Sequence, residues 1–401
     1  MISQDSFPLP AAALEEVLKP FGESTMLPPE SYTSEKVFAW EQRNFFRGWQ
    51  CVGRSSDMAE PGAQRAERLV GEGSILLVRG TDGVLRGLAN VCRHRGHELL
   101  PCGSGTTGKA IVCPYHAWAY DLTGALRAAR HFPQSASFDR ASHGLLPVRV
   151  QEWHGYIFAD PSGAAPPLET YLDSLDERLA LHRPERLVVR ARHEYVVQAN
   201  WKTITENYHE CYHCPLIHPE LCAVTPPDSG ENWDRPGAWV GGWMELREGM
   251  ATMSLTGASS GTTLPGLDPV TARRVDYLGI FPNLLISTHP DYVMTHRLVP
   301  LAPDRTWVEC AWAFDPDDAG SEADPSYAVD FWHLTNSQDW AACESVQRGL
   351  ASGMAEAGPL APDEDAVYQY VTMVARGYRG EPLHVSPPLR SAYAAQTLAT
   401  T

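Results

Sequence analysis

Cys92-Arg93-His94-Arg95-Gly96 and Cys113-Pro114-Tyr115-His116-Ala117-Trp118, separated by a Gly-rich interval, spell Cys-x-His…Cys-x-x-His. Two thiolates and two imidazoles in this pattern suit a [2Fe–2S] cluster, with both sulfurs on one iron and both nitrogens on the other. Neutral imidazoles lower the negative charge of the cluster and raise its reduction potential to roughly −150 to +300 mV. A chain built round such a site moves single electrons. A zinc knuckle takes the same donor types. Either reading places the four side chains on loops, where a metal group is clasped between two fingers.

The surrounding sequence is β-like. Ser74-Ile75-Leu76-Leu77-Val78-Arg79 precedes Gly80-Thr81-Asp82-Gly83, and Val148–Trp153 precedes Gly155-Tyr156-Ile157-Phe158. Short apolar runs alternating with Gly/Asp turns predict a small all-β domain over residues 46–160. Residues 1–45, with helices expected at Ala11–Lys19 and Ser34–Phe46, form an N-terminal segment expected to pack on the larger domain. A Pro/Gly/Ala-rich link at Asp160–Pro167 marks the boundary. Beyond it, residues 161–401 read as an α+β domain. Expected there are helices over Leu168–Leu181, Asn200–His213 and Ser326–Ser352, and strands over Leu187–Gln198, Val275–Ser287, Asp291–Pro300 and Thr306–Phe314. The Gly/Ser/Thr-rich region 228–269 reads as loops.

A chain of 401 residues with 43% hydrophobic and 20% charged residues can build two globular domains. No run of apolar residues is long enough to span a membrane. Asp5 lies early and no basic stretch precedes an apolar one, so no secretory signal is expected and a cytoplasmic location is. The net charge of −17 speaks against nucleic acid, whose phosphates require a basic surface. The nine cysteines are odd in number and irregularly spaced, which argues against a disulfide framework. Cys211 and Cys214 read as two buried thiols rather than a redox or zinc pair.

A second site is written in Glu206-Asn207-Tyr208-His209-Glu210-Cys211-Tyr212-His213-Cys214-Pro215-Leu216-Ile217-His218. Two imidazoles and one carboxylate on one face of a metal form the facial triad of non-haem iron, with the opposite positions open. His213 and His218 are five residues apart, about 500° around an α-helix, so a regular helix would point them apart. Pro215 is expected to end the helix between them and let His218 swing back. The third ligand is a carboxylate from elsewhere, with Asp330, Asp339 and Glu344 as candidates. Glu210, three residues before His213, is expected on the same helix face. His97 reads as a surface residue, His209 as facing away from His213, and His289 and His296 as strand histidines.

With both motifs in hand, the chain resembles the Rieske non-haem iron oxygenases, the ring-hydroxylating oxygenase α-subunit family, from about Pro28 to Tyr378. Arg95-Gly96, Tyr115 and Trp118, which that family uses round its cluster, have no part in a zinc knuckle. The segment from Glu206 to Leu221, and Phe281-Pro282-Asn283-Leu284, look like the glycine-betaine demethylase-type members. The resemblance implies a larger helix-grip-like domain with a central antiparallel sheet. It implies a [2Fe–2S] cluster on Cys92, His94, Cys113 and His116, and Fe(II) on His213, His218 and Asp339. Asp339 is favoured because Gln338-Asp339, Glu344 and Gln347-Arg348-Gly349 resemble the family's ligand helix. At Glu210 the family carries an acidic residue that bridges the neighbouring subunit's cluster histidine to an iron histidine.

The resemblance further implies electrons from NAD(P)H through a separate flavin/iron–sulfur reductase, a homotrimer with inter-subunit electron transfer, and hydroxylation or N-demethylation of a small amine by O2. A quaternary ammonium is held by aromatic faces, at about 0.5–2 kcal/mol each. Trp233, Trp239, Trp243, Tyr277, Phe281 and Tyr292 are the candidates. Oxygenation of an aromatic or natural-product scaffold is the alternative. An electron-transfer protein with a vestigial second site is the alternative of another class.

Overall fold

The computed structural model describes residues 7–71, 73–133, 135, 138–316 and 324–383. They divide into two compact units, residues 42–165, and residues 7–41 together with 166–383.

The first unit holds β1 (Gln50–Arg54), β2 (Ala63–Leu69), β3 (Gly73–Arg79), β4 (Leu85–Ala89), β5 (Gly105–Thr107), β6 (Ile111–Val112), β7 (Ala119–Tyr120), β8 (Leu126–Ala128), β9 (Pro147–Trp153) and β10 (Tyr156–Asp160). Its larger sheet runs in the order β1-β10-β9-β4-β3-β2-β5, and β6-β7-β8 form a smaller one. Local chemistry sets the turns. His154 and Gly155, with φ of 44° and 80°, join β9 to β10. Two successive positive φ values make the hairpin turn that matches strand twist. Strand β3 explains its unbroken apolar run. Ile75 and Leu77 enter one core with Val52 and Ile157, while Leu76 and Val78 enter another beneath Cys92, Cys113, Trp118 and Tyr120. Successive residues face opposite sides of a strand, so a strand buried on both faces must be apolar throughout.

The second unit is built on one antiparallel sheet, ordered β11-β17-β16-β15-β14-β13-β12. Its strands are β11 (Val188–Val197), β12 (Glu231–Asn232), β13 (Trp239–Glu245), β14 (Arg274–Ile280), β15 (Leu284–Thr288), β16 (Tyr292–Ala302) and β17 (Arg305–Phe314). The run expected as one strand over 275–287 is a hairpin, turned at Phe281-Pro282-Asn283 and pinned where Asn283 Nδ2 donates to the Leu298 carbonyl at 3.2 Å. The region expected as loops contains β13. Its glycines are close-approach positions, since a Cβ on Gly241 would lie 2.5 Å from the Tyr277 carbonyl oxygen. The helix expected over Leu168–Leu181 is two short ones, Leu168–Leu172 and Leu175–Leu179, parted at Asp173 with φ 47°.

The helix Ser326–Leu350 buries Phe331, Trp332 and Cys343 in the core beside Trp312 and Ile204. A further helix, Asp365–Tyr378, has no counterpart among the expected elements, although it buries Val367, Tyr370, Val371 and Val374 at helical spacing. The N-terminal segment is fastened to this unit by buried polar contacts. Glu41 pairs with Lys202 at 2.7 Å, accepts from Trp201 Nε1 at 3.0 Å, and accepts the Tyr378 hydroxyl.

Candidate active site

The helix Trp201–Tyr208 starts at Asn200, whose side chain accepts from the Lys202 N–H at 3.0 Å. It ends at Tyr208 rather than His213. Pro215 breaks nothing, because it lies in the first turn of a new short helix, Cys214–Ile217. The first turn of a helix does not need the missing N–H, so proline there favours the start of a helix. The change of direction falls at 209–213, and it brings His213 and His218 together. Glu210 accordingly does not share a helix face with His213. It folds back within the turn, where Oε2 accepts the His213 backbone N–H at 3.1 Å and Oε1 engages His213 Nδ1.

The same turn overturns the expectation of two thiols. Cys211 and Cys214 form a disulfide, with Cα atoms 4.9 Å apart, inside the range that such a bond requires.

His213 Nε2 and His218 Nε2 are 3.1 Å apart, and Asp339 Oδ1 lies 2.8 Å from the latter and 3.4 Å from the former. Bonds of about 2.1 Å at right angles to a common ion place donor atoms about 3.0 Å apart, so the three atoms fit one face of a metal. Asp330 and Glu344 are not in the group. The outer nitrogens are also held. His218 Nδ1 lies 2.7 Å from Gln338 Oε1, and His213 Nδ1 meets Glu210. Each partner leaves the inward nitrogen with a lone pair for a metal.

The electrostatics point the same way. Burial pulls the His213 imidazole down, but Asp339 and Glu210 outweigh it and hold it up at about 9. Burial raises Asp339, yet His213 and His218 prevail and hold it below the ordinary carboxylate range. A bound cation would take the place of a proton at this site.

The triad lies in a cavity of about 540 Å³ whose wall includes Tyr208, Trp243, Tyr277 and Trp332. Of the aromatic candidates, Trp243 and Tyr277 are there. The other four are not, and each has structural partners. Trp233 lies under the Arg178 guanidinium and against Trp239, Phe281 packs on Trp201, and Tyr292 is buried against His289 with its hydroxyl on the Met253 carbonyl. Tyr208, Trp332 and Thr335 join the wall without having been expected there. Trp332, Thr335 and Asp339 stand at i, i+3 and i+7 on one helix, a spacing that is legible in the sequence. His209 is buried with Nε2 against Gly279, His296 is bonded to Asn336 at 3.0 Å, and His97 is exposed.

In the first unit the two Cys/His loops repeat one geometry. The Cys92 N–H donates to the His97 carbonyl and the Cys113 N–H to the Trp118 carbonyl, both at 2.8 Å. The N–H groups of Gly96 and Ala117 each return to the carbonyl of their cysteine at 3.1 Å, from left-handed backbone with φ 72° and 56°. Both thiols are buried, and Cys92 Sγ lies 3.3 Å from the Tyr120 hydroxyl. The His94 and His116 rings are 4.6 Å apart, His94 stacks on Trp118, and its buried Nδ1 has no partner among the described residues. The only three donor atoms gathered within 4.8 Å of one another, among the described residues, are those of His213, His218 and Asp339. Two buried thiols and two imidazoles held by paired loops are the donor set of a two-iron, two-sulfur cluster.

Comparison with known proteins gives this geometry its context. Residues 48–141 match the Rieske [2Fe–2S] domain, and residues 184–380 match the ring hydroxylating alpha subunit catalytic domain. The glycine betaine monooxygenase oxygenase subunit of Chromohalobacter salexigens is 31% identical over 387 residues, covering 88% of this chain and 86% of the relative. The carnitine monooxygenase oxygenase subunit of Escherichia coli K12 is 42% identical over 200 residues, 49% of this chain and 53% of that one. The crystal structure of a quaternary ammonium Rieske monooxygenase with L-carnitine aligns at TM-score 0.74 and 27% identity, covering 92% of this chain and 99% of that one. The likeness thus runs through both units, and the protein belongs to the Rieske non-haem iron oxygenases, the ring-hydroxylating oxygenase α-subunit family, with a Rieske [2Fe–2S] cluster and a mononuclear iron as its cofactors.

Proposed function

We propose that this protein is the terminal oxygenase of a monooxygenase system that hydroxylates an N-methyl group of a small quaternary or methylated amine. The observation that carries the reading is the convergence of His213, His218 and Asp339 in a cavity walled by Tyr208, Trp243, Tyr277 and Trp332. Aromatic faces hold a cation that offers no hydrogen-bond donor. The relatives named for glycine betaine and carnitine support the same chemistry.

When bound, the cluster supplies single electrons and the iron supplies oxygen activation. Cys92, His94, Cys113 and His116 would hold the cluster, and His213, His218 and Asp339 would hold the iron. Gln338 and Glu210 fix the two iron imidazoles in the required tautomer. Glu210 also bridges toward the cluster of a neighbouring subunit in a homotrimer, as inter-subunit electron transfer is described for a related quaternary ammonium monooxygenase. A separate NAD(P)H-dependent reductase feeds the cluster. For a quaternary substrate, the net reaction takes the N-methyl ammonium, O2, two electrons and two protons to the N-hydroxymethyl ammonium and water. This carbinol then loses a proton and formaldehyde, and the C–N bonding pair stays on nitrogen to leave a tertiary amine. Among the described residues no helix is long and apolar enough to cross a membrane.

The test is a single turnover. Enzyme with its cluster chemically reduced is mixed with O2 and pooled methylated amines. Formaldehyde in proportion to reduced cluster, with the matching demethylated amine, is the expected result. None from enzyme loaded at both sites refutes N-methyl oxidation and transfers the assay to aromatic scaffolds. A pure electron-transfer role predicts no substrate-linked O2 consumption at all.

A further inference from the structure

The cavity has an uneven charge. Besides Glu210 and Asp339, its wall carries the half-buried Asp365 and the solvent-exposed Asp228, Glu231 and Asp363, and among the described residues no lysine or arginine lines it. Asp365 is fixed in place by the Asn232 amide and by the Ala366 N–H at 3.0 Å. His213 and His218 are occupied as ligands. His209, the one other basic side chain of the described wall, is buried with Nε2 packed on Gly279, where a Cβ would lie 2.0 Å away. The Arg274 guanidinium lies over the Trp243 ring at 3.6 Å and 3.8 Å from Glu245, and it is not a lining residue.

A zwitterionic betaine brings a carboxylate as well as an ammonium. Its carboxylate needs a cation or several N–H donors to offset the loss of water. This wall supplies carboxylates instead, and like charges in a partly enclosed site repel. The ammonium gains from the same wall. Neutral groups also line the wall, among them Asn207, Tyr212 and Thr335, and Tyr277 stands out because its buried hydroxyl has no hydrogen-bond partner among the described residues.

We infer that the cavity selects amines of net positive charge, ammonium compounds without a carboxylate, over zwitterionic betaines. The inference rests on the amine reading above and narrows it. Asp228 and Glu231 are specificity-determining residues, and the Tyr277 hydroxyl meets a neutral polar group of the substrate.

The test uses holoenzyme in single turnover with two substrates that differ only in charge, glycine betaine and its primary amide, singly and in competition. The amide is expected to be favoured by about tenfold or more in product per reduced cluster at limiting concentration. The double variant Asp228→Asn, Glu231→Gln is expected to cut that preference by about threefold per carboxylate while retaining both metals. Equal use of the two, or preference for the zwitterion, overturns the inference and leaves the amine reading standing. A preference undiminished in the double variant overturns the assignment to Asp228 and Glu231. Oxidation of neither amine by fully loaded enzyme removes the amine reading and this inference with it.

Discussion

Gln338 is expected to set how tightly the candidate iron site holds its metal. Its Oε1 lies 2.7 Å from His218 Nδ1, and His218 is 1% exposed. Replacing Gln338 with leucine keeps the bulk and removes the acceptor. The His218 N–H is then buried without a partner, at a cost of about 1–3 kcal/mol. Alternatively the imidazole takes the other tautomer, which turns a proton toward the metal. Either route weakens iron by about 10- to 100-fold, as loss of the outer partner of a metal histidine does elsewhere. At 1.36 kcal/mol per decade this is about 1.4–2.7 kcal/mol, which agrees with the unsatisfied-donor figure. The assay is Fe(II) titration against a competing chelator, with cluster absorbance as the internal control for folding. Gln338→Glu retains an acceptor and is expected to stay within about threefold of the parent. A leucine variant that binds iron as tightly as the parent, or a glutamate variant as weak as leucine, refutes the reasoning.

Asp339→Ala should lose the mononuclear iron and keep the cluster spectrum, so iron analysis falls while cluster absorbance holds. Iron retained at both sites would move the third ligand elsewhere. Glu210→Gln should keep both metals, because the amide oxygen still accepts from His213 Nδ1, yet reduce multiple-turnover oxidation by about tenfold or more, because a neutral amide no longer supplies the carboxylate of the bridge. Unchanged turnover speaks against the bridge. Glu206 gives a pH prediction. Burial raises its carboxyl from the ordinary 4.5 to about 7, against the opposing Tyr32 hydroxyl, which donates to it at 2.8 Å. The folded state keeps a proton that the unfolded chain has released, so stability falls as pH rises through this window, by about 3 kcal/mol at most. Glu206→Gln should lessen the drop in Tm between pH 5 and pH 8. Asp276, which burial raises to about 7, will contribute a residual slope of the same sign.

Short-range chemistry is legible in the sequence, and long-range packing is not. Cys92, His94, Cys113 and His116 announce themselves because the loops that hold them are local, each closing on itself within five residues. His213 and His218 are found by residue type, but the backbone between them differs from the expected broken helix. Proline reads as a stop, although it equally favours the first turn of a helix, and only the turn upstream distinguishes the two. The pairing of Cys211 with Cys214 is hidden by that same turn. Asp339 comes from a resemblance, because no local pattern ties it to residues 121 positions away. Aromatic side chains are the least legible. Trp243 and Tyr277 reach the cavity while Phe281 and Tyr292 lie in the core, and which side of a strand meets the cavity depends on register with its neighbours.

The distance in sequence between His218 and Asp339 means that an iron held between them would act as a clasp. It would fasten the turn that follows the helix Trp201–Tyr208 to the middle of the helix Ser326–Leu350, two segments that the chain itself connects only by way of most of the sheet. A ligand that binds only the closed arrangement stabilises it by mass action. Stripping the metal should therefore loosen residues 209–218 well before the sheet melts, which amide exchange in that turn would register. Iron starvation would then be felt as a local opening of the chain as well as a loss of chemistry, and a protease could find this oxygenase by its missing metal.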